Sequence, residues 1–426
     1  MPIKWIEPLD LARQISNSNY QENWIFLYSG LSKEIPNSKS YICLYPVSEI
    51  IGDDFNELEK NLEDSNEKYF GYLGYELKNC LEDLVISEKS FINLPNLWLM
   101  KFELILEFDH DKKEVKEYSH SKCILPDEIL RCAWDSKIQE VRIKTLKSNF
   151  SKSSYLKKVK AIQKNIEDGE IYQANLTRKF FGEFEDEPQE SFEIFLELNK
   201  RSPANYSSFL KMNKNFIISS SPELFLKINE DGNILSRPIK GTAKKFADKK
   251  LDEESQKELK SSVKERAENL MIVDLVRNDL SRNCQSNSVK VENLFKISSY
   301  KTLHHLSSDI SGIKEPDSSN LDVIKNCFPA GSMTGAPKIR AMEICEDQEK
   351  QSRGVYSGAI GFVSSKNCEL SVVIRTLIVK GNKFEFQVGG AITYDSDAKK
   401  EWQETMNKAQ GIAKTLGIKL SDLKKI

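Results

Sequence analysis

The feature that most constrains the fold is the order in which apolar strand-like segments, polar turns and helical patterns follow one another. Early in the chain, segments such as NWIFLYSG and SYICLYP alternate with polar turns. The stretch from Trp98 to Tyr118 predicts a long hairpin that turns at Asp109 to Lys112. Because strands joined by tight turns pair in antiparallel fashion, this part of the chain predicts antiparallel sheet.

In the rest of the chain, helical patterns are interspersed with further hairpins. Helices are predicted at 153–168, 244–279 and 395–415. The NEDG sequence at 229–232 predicts one hairpin turn, and a last hairpin is predicted over 357–391. Strands and helices in this mixed order favour an α+β fold with large antiparallel sheets over a doubly wound parallel sheet.

The domain organisation is read from the absence of dividing segments. No repeat, low-complexity tract or Pro-rich linker separates parts of the 426 residues. We therefore expect one compact unit with two intimately packed halves. Residues 1–150 form its N-terminal region, and residues 151–426 form a second region.

Composition excludes several classes of protein. Hydrophobic residues make up 39% of the chain and charged residues 30%, as in globular rather than disordered proteins. The 62 Lys and Arg residues against 64 Asp and Glu leave no basic surplus for nucleic acid. No apolar run approaches the roughly 18 residues that span a bilayer. The N-terminal segment has no apolar signal core, so we expect a cytoplasmic protein without nucleic-acid or membrane partners.

The cysteines and histidines argue against disulfides and zinc. The eight cysteines are scattered without a C-x-x-C pair, which predicts reduced thiols in a cytosol. With only four histidines, a zinc site built from Cys and His is not expected. These residues are Cys43, Cys80, Cys123, Cys132, Cys284, Cys327, Cys345, Cys368, His110, His120, His304 and His305.

Two predicted helices carry paired carboxylates. Glu265 and Glu268 stand three residues apart in KERAENLMIVDL, and Glu401 and Glu404 repeat this spacing in KKEWQETMNKA. Residues three apart share a helix face, and a solvated surface explains either pair simply. If the two pairs converge, four carboxylates stay ionised only with a cation among them. Oxygen ligands of this kind suit Mg2+, which makes a magnesium site the alternative explanation.

An arginine, two glycines and a lysine suggest an anion pocket. Arg375 interrupts the apolar run LSVVIRTLIV, where its charge must be paired in a salt bridge or must face a cleft that binds a carboxylate. Gly389 and Gly390 mark either a bulge or a place where a ligand approaches backbone N–H groups. Lys240 in SRPIKGT is either an exposed turn residue or an ammonium presented to a pocket. Arg375, the glycine N–H groups and a cation bound by the carboxylates would together form a pocket for a small dianion.

A series of segments resembles the chorismate-utilising enzymes. These segments are PIKGT, ENLMIVDLVRNDLSR, FPAGSMTGAPKIRAMEIC, YSGAIGF, VVIRTL and EWQETMNKA, in that order. The resemblance is dense from Tyr155 to Thr415 and weaker at LYSG and GYLGYEL near the N-terminus. It implies the fold of anthranilate synthase component I, with large antiparallel sheets sandwiched together and flanked by helices. It also makes residues 151–426 the chorismate-binding catalytic region.

Two positions sort the chain within this family. Lys240 stands where anthranilate synthases carry alanine, and a lysine there is typical of aminodeoxychorismate synthases. Gln173 stands where isochorismate and salicylate synthases place a general-base lysine. The resemblance therefore implies amination of chorismate to 4-amino-4-deoxychorismate, for p-aminobenzoate and folate synthesis. Anthranilate synthesis is the nearest alternative, and a non-catalytic sensor of chorismate or an amino acid is a more remote one.

The resemblance also implies catalytic roles. Lys240 would be the nucleophile, Glu223 the general acid for the departing hydroxyl, and His305 a neighbour of that hydroxyl. The adjacent His304 is expected to be structural. The chain contains no glutaminase motif, which implies a separate glutamine amidotransferase subunit as the source of ammonia.

Binding roles follow from the same resemblance. Glu268 and Glu404 would bind Mg2+ directly, with Glu265 and Glu401 supporting through water. The pocket would hold both carboxylates of chorismate. The substrate-binding residues would be Gln173, Gly241, Thr242, Thr334, Lys338, Tyr356, Arg375, Gly389 and Gly390.

Overall fold

The strands and helices are those of an α+β fold, as the sequence predicts. The computed structural model describes residues 4–18, 20–31, 37–84, 89–119, 141–188, 191–300 and 303–426. Cys123, Cys132 and His120 lie outside these residues. The strands are β1 (Trp24–Tyr28), β2 (Lys39–Gly52), β3 (Tyr69–Leu73), β4 (Leu97–Asp109), β5 (Glu114–Ser119), β6 (Ile143–Ser148), β7 (Gln173–Phe184), β8 (Tyr206–Met212), β9 (Asn215–Ser221), β10 (Leu224–Ile228), β11 (Asn233–Arg237), β12 (Ile239–Lys244), β13 (Lys290–Ser299), β14 (Leu303–Ile313), β15 (Gly335–Ala336), β16 (Ala359–Val363), β17 (Cys368–Val372), β18 (Thr376–Lys380) and β19 (Lys383–Ile392). The α-helices are α1 (Pro8–Asn17), α2 (Asn56–Asp64), α3 (Lys152–Glu167), α4 (Ser191–Arg201), α5 (Lys249–Ser261), α6 (Val263–Ser281), α7 (Asn320–Cys327), α8 (Lys338–Glu349), α9 (Ala398–Thr415) and α10 (Leu420–Leu423).

The described strands form one continuous antiparallel ladder. Its order runs β13, β14, β11, β10, β17, β16, β3, β4, β2, β1, β8, β9, β18, β19, β7. Of the remaining strands, β5 pairs with β4, β12 with β14, and β6 and β15 with β7. Strands of the N-terminal region lie in the middle of this order, where β1 pairs with β8 and β3 pairs with β16. The N-terminal region therefore joins two ends of the sheet that the rest of the chain provides.

Three apolar clusters show how the sheet and helices pack. One cluster is built almost entirely from strand residues, among them Tyr41, Phe70 and Phe362, as expected where two sheet faces meet. The other two clusters place helices against the outer faces of the sheet, with Trp402 of α9 in one and Ile272 of α6 in the other. The layered arrangement confirms the predicted sandwich of antiparallel sheets flanked by helices.

Two local predictions were wrong. The predicted helix at 244–279 is instead two helices, α5 and α6, because Ser262 has an extended backbone (φ -60°, ψ 114°) that ends one and caps the other. The predicted hairpin at 357–391 is two hairpins, β16–β17 and β18–β19. Arg375, with a φ of 51°, lies in the turn between them.

Other local predictions are confirmed. The hairpin of β4 and β5 turns after Asp109, and the NEDG sequence joins β10 to β11 with Gly232 at a φ of 76°. The six cysteines that the structure describes are free thiols. Among the described residues, no helix is long and apolar enough to span a membrane.

Candidate active site

The two glutamate pairs come together where α6 and α9 approach the sheet. A Cβ atom added to Gly241 on β12 would lie 2.8 Å from Glu265 Oε2. One added to Gly390 on β19 would lie 3.2 Å from Glu401 Oε2. Glu268 and Glu401 are 7% and 2% exposed, so the solvated-surface explanation of the pairs is wrong. Side-chain caps at Ser262 and Asp397 fix where α6 and α9 begin, and Glu265 and Glu401 lie in the first turns of these helices.

Two lysines that the sequence analysis did not single out neutralise this cluster. Lys264 Nζ lies 3.4 Å from Glu401 Oε1 and 3.8 Å from Glu268 Oε1, and so bridges the two helices. Lys408 Nζ lies 2.7 Å from Glu404 Oε1 and donates to the Gly389 carbonyl at 2.8 Å. Both lysines stand four residues from a glutamate on the same helix. That spacing is the sequence signal that was available.

The electrostatics of the cluster follow from burial and from these lysines. Burial raises the pKa of Glu268 to about 7, with Lys240 opposing the shift. Burial also raises the pKa values of Glu265 and Glu401. Burial acts in the same direction on Glu404, but Lys408, together with Lys264 and Lys240, outweighs it and the net pKa is lowered. Four carboxylates in this setting favour additional positive charge.

The chemistry of the cluster fits Mg2+. Its donors are carboxylate oxygens from two helices, the ligand type that this ion prefers. Glu268 Oε1 is buried and accepts no hydrogen bond from the described part of the chain. Within that part, no three His, Cys, Asp or Glu side chains already stand as a closed ligand set. The fit therefore rests on the donor type and on the orphaned oxygen of Glu268.

Lys240 and Glu223 lie next to the cluster. Lys240 is half-buried on β12, and its ammonium donates to the Ser332 carbonyl at 3.0 Å. Burial lowers the pKa of Lys240, while the carboxylates of Glu268 and Glu223 oppose that shift. Glu223 is 4% exposed, and burial raises its pKa against the effects of Ser332 and Lys240. Lys240 is therefore an inward-facing strand residue, and the exposed-turn explanation is wrong.

His305, which is buried, contacts the half-buried Arg375, and the charge of Glu223 acts on the Arg375 guanidinium. Their closest ring and guanidinium nitrogens, Nε2 and Nη2, are 3.5 Å apart, and the His305 ring lies 5.0 Å from that of Tyr300. Burial and the Arg375 charge lower the pKa of His305 to about 3, so the imidazole is neutral at pH 7. His305 Nδ1 is buried without a hydrogen-bond partner among the described residues.

Arg375 faces the site rather than a structural partner. No carboxylate in the described ranges forms an ion pair with it. Burial lowers the pKa of Arg375, and among the charges that act in the opposite direction Glu223 has the largest effect. The left-handed backbone at Arg375 places it in the turn between β17 and β18. The salt-bridge explanation of Arg375 therefore has no support here. His304, by contrast, bonds to Ser299 and Asp252 at 2.8 Å each, as expected of a structural residue.

The glycine pair lies in regular sheet. β19 pairs with β7 without a register shift through Gly389 and Gly390, so the bulge explanation is wrong. Close approach is what distinguishes these positions, since Gly390 faces the carboxylates of Glu401 and Glu404. Gly241 has a φ of 88°, a backbone conformation that favours glycine.

The remaining predicted site residues differ in their surroundings. Gln173 is fully buried at the start of β7, and neither polar atom of its amide has a hydrogen-bond partner in the described chain. Tyr356 is buried, and the hydroxyl of Thr334 donates to the Gly331 carbonyl at 3.2 Å. Thr242 is exposed and lies opposite His305 in the β12–β14 ladder. Gln173 is thus the residue of this set with unused hydrogen-bonding capacity.

Lys338, a predicted substrate-binding residue, has its ammonium bound to other groups of the protein. Its ammonium lies 2.7 Å from Asp279 Oδ2 and donates to the Cys327 carbonyl at 2.9 Å. Asp279 is buried at the far end of α6 from the glutamate pair. These contacts tie α8 to α6, and substrate binding by Lys338 stays a prediction.

Comparison with known proteins agrees with the fold. The sequence profile described as chorismate binding enzyme matches residues 17–414, and the chain belongs to that family. It is 34% identical to aminodeoxychorismate synthase component 1 of Klebsiella aerogenes, over 80% of this chain and 75% of the relative. It is 32% identical to anthranilate synthase component 1 of Aquifex aeolicus, over 82% of this chain and 74% of the relative. The crystal structure of anthranilate synthase component I from Streptococcus pneumoniae superposes with a TM-score of 0.77 at 27% identity, covering 89% of this chain and 92% of that one.

Proposed function

We propose that this chain aminates chorismate at C4 to give 4-amino-4-deoxychorismate, the precursor of p-aminobenzoate in folate synthesis. The observation that carries the proposal is the inward-facing Lys240 ammonium, which donates to the Ser332 carbonyl and whose pKa the carboxylates of Glu268 and Glu223 raise against the effect of burial. A lysine in PIKGT is what distinguishes aminodeoxychorismate synthases from anthranilate synthases in this family. Relatives named aminodeoxychorismate synthase component 1 from Klebsiella aerogenes and Escherichia coli support the proposal, at 34% and 35% identity.

The proposed chemistry uses Lys240 as a nucleophile. Its neutral amine forms a bond to C2 of the ring, the double bonds shift, and the C4–O bond breaks. Ammonia then attacks C4, and the bond between C2 and Lys240 breaks to return the amine. The lowered pKa of Lys240 increases the neutral fraction that this attack needs.

Glu223 acts as the general acid in the first step and as the general base in the second. In the first step it donates a proton to the departing hydroxyl, which leaves as water. In the second step the resulting carboxylate takes the proton that the new C4 ammonium group sheds. Burial favours the protonated form of Glu223 before the reaction, as a general acid requires. The neutral His305 imidazole, which contacts Arg375, would hydrogen-bond to the same hydroxyl.

The two ends of the substrate would be held by opposite kinds of group. Arg375 would bind the enolpyruvyl carboxylate, with Tyr356 beside it. Glu268 and Glu404 would hold Mg2+, with Glu265 and Glu401 supporting through water. When bound, the ion neutralises the cluster and supplies positive charge for the ring carboxylate of chorismate. Gly241 and Gly390 leave room there, because any Cβ would crowd the glutamates.

Ammonia would come from a glutamine amidotransferase subunit. The relative from Klebsiella aerogenes is named component 1, which supports a two-component enzyme. The buried amide of Gln173, with both polar atoms unpartnered among the described residues, would offer a donor and an acceptor to ammonia or substrate. A neutral amide at this position does not act as the general base that a lysine would provide.

The product identifies the reaction. The purified chain is incubated with chorismate, Mg2+ and an ammonium salt, and the products are resolved by chromatography and mass spectrometry. The proposal predicts 4-amino-4-deoxychorismate. Anthranilate as the product would overturn it and assign the chain to tryptophan synthesis, the alternative supported by the relative from Aquifex aeolicus.

A further inference from the structure

The Lys264 ammonium lies where the two glutamate pairs meet. It is 3.4 Å from Glu401 Oε1 on α9 and 3.8 Å from Glu268 Oε1 on α6. Glu268 Oε1 has no hydrogen bond from any described group, so the lysine provides the nearest compensation for that buried oxygen. Glu268 and Glu401 are both more than nine-tenths buried, whereas the Lys264 side chain is 47% exposed. The cation therefore reaches into the cluster from the solvent side.

This position conflicts with a divalent cation on the same oxygens. A metal ion that binds Glu268 and is supported by Glu401 needs the space and the charge that Lys264 now supplies. Mg2+ and the Lys264 ammonium would repel each other strongly if both contacted the same carboxylates, because partial burial reduces screening by water. Lys264 has solvent on one side and a long flexible stem, so its ammonium can withdraw without opening the core.

We propose that Lys264 is the built-in counter-cation of the glutamate cluster, which Mg2+ displaces when it binds. The lysine stabilises the cluster without metal and weakens the apparent affinity for Mg2+, since each binding event must also break the contacts to Glu268 and Glu401. The coupling is reciprocal: the free energy by which the bound ammonium weakens Mg2+ binding equals the free energy by which bound Mg2+ weakens the contacts of the ammonium. This inference rests on the proposed magnesium site and adds to it a residue that sets the metal affinity.

The first test measures Mg2+ binding by calorimetry with the full chain and Mg2+ alone. Lys264→Met removes the charge and keeps much of the stem, and Lys264→Arg keeps the charge. Lys249→Met is the matched control, because Lys249 makes the same type of i,i+4 ion pair with Glu253 at 3.9 Å on the exposed face of α5. We expect Lys264→Met to bind Mg2+ about tenfold more tightly or better, and Lys264→Arg and Lys249→Met to stay near wild type.

The second test follows the lysine itself. Reductive methylation of the wild-type chain, read by peptide mass spectrometry, reports how freely each ammonium reacts. We expect saturating Mg2+ to speed labelling of Lys264 severalfold and to leave Lys249 unchanged. Melting without metal should also show Lys264→Met to be less stable than wild type, with Mg2+ restoring the difference.

The outcomes separate this inference from the magnesium site. Equal or weaker Mg2+ binding by Lys264→Met, with normal binding by wild type, overturns the counter-cation role and leaves the metal site standing. Failure of every variant to bind Mg2+ overturns both. Tighter binding by Lys264→Met together with metal-dependent labelling of Lys264 supports the displacement.

Discussion

The candidate site has two ends with opposite electrostatic environments: one stabilises charged groups and the other favours neutral ones. At the acidic end, formed by Glu265, Glu268, Glu401 and Glu404, carboxylates are grouped and lysines are drawn in to neutralise them. At the dry end, formed by Glu223, His305 and Arg375, burial favours the neutral forms of the acid and the imidazole. Carboxylates of both ends act on Lys240, since Glu268 and Glu223 oppose the lowering of its pKa by burial.

The difference shows how one pocket supports both binding and proton transfer. Grouped carboxylates recruit a cation, and a cation holds the carboxylate of a substrate. An isolated carboxyl in a dry setting keeps its proton and can donate it. The two ends should therefore respond differently to substitution, to Mg2+ and to pH.

The largest expected effect is at the lysine that both ends share. Lys240→Ala removes the proposed nucleophile, and we expect kcat to fall by about 10³-fold or more. Steady-state kinetics with ammonium as the nitrogen source measures this, and circular dichroism checks the fold. A loss of less than about tenfold in kcat would mean that Lys240 binds substrate without attacking it.

At the dry end, Glu223→Gln keeps the shape and removes the proton. We expect kcat to fall by about 10²-fold to 10³-fold, because general acid catalysis of the departing hydroxyl is lost. The Mg2+ concentration for half-maximal rate should not change, since Glu223 belongs to the other end. A shift in the Mg2+ requirement with little change in kcat would break the distinction between the two ends.

The neutral His305 predicts a pH dependence of stability. In the unfolded chain the histidine takes up a proton as the pH falls through about 6.5, whereas in the folded chain its pKa is about 3. The folded state therefore loses stability as the pH falls below the unfolded value, by about 3 kcal/mol over the first two pH units. Urea unfolding of wild type and His305→Asn across this range measures the difference. Parallel stability curves for the two proteins would show that His305 protonates in the folded state.

At the acidic end, Glu268→Gln tests the proposed ligand. We expect the apparent affinity for Mg2+ to fall by about 10-fold to 100-fold, a range typical of changes around a metal site. The rate at saturating Mg2+ should recover in larger part than it does for Glu223→Gln. Measurement of rate against Mg2+ concentration decides this, and an unchanged Mg2+ requirement would remove Glu268 from the proposed ligand set.

The two ends also differ in how far the sequence predicts them. The i,i+3 spacing of Glu265 with Glu268 and of Glu401 with Glu404 is a local pattern, so the shared helix face is predictable. Their convergence depends on how α6 and α9 pack against the sheet, which spacing does not contain. The role of Lys264 could not be predicted from its spacing, because a lysine four residues from a glutamate is common on solvated helices.

The dry end depends on contacts between distant parts of the chain. Glu223, His305 and Arg375 lie on different strands and turns, and no local pattern relates them. The resemblance to a family predicted that they share one pocket. The residues alone left two explanations for Arg375 open, a structural salt bridge or a cleft that binds a carboxylate. The antiparallel class was predictable from hairpins, but the place of the N-terminal strands in the middle of the ladder was not, because long-range pairing leaves no local pattern in the sequence.

The proposed reaction depends on a covalent bond between Lys240 and the ring of chorismate. The most direct measurement is the intact mass of the chain after incubation with chorismate and Mg2+ without ammonia, followed by peptide mapping. We expect an added mass equal to chorismate less water, located on Lys240, absent from Lys240→Ala and removed when ammonium is supplied. An unmodified Lys240 in a chain that still forms 4-amino-4-deoxychorismate, or an adduct on another residue, would contradict it.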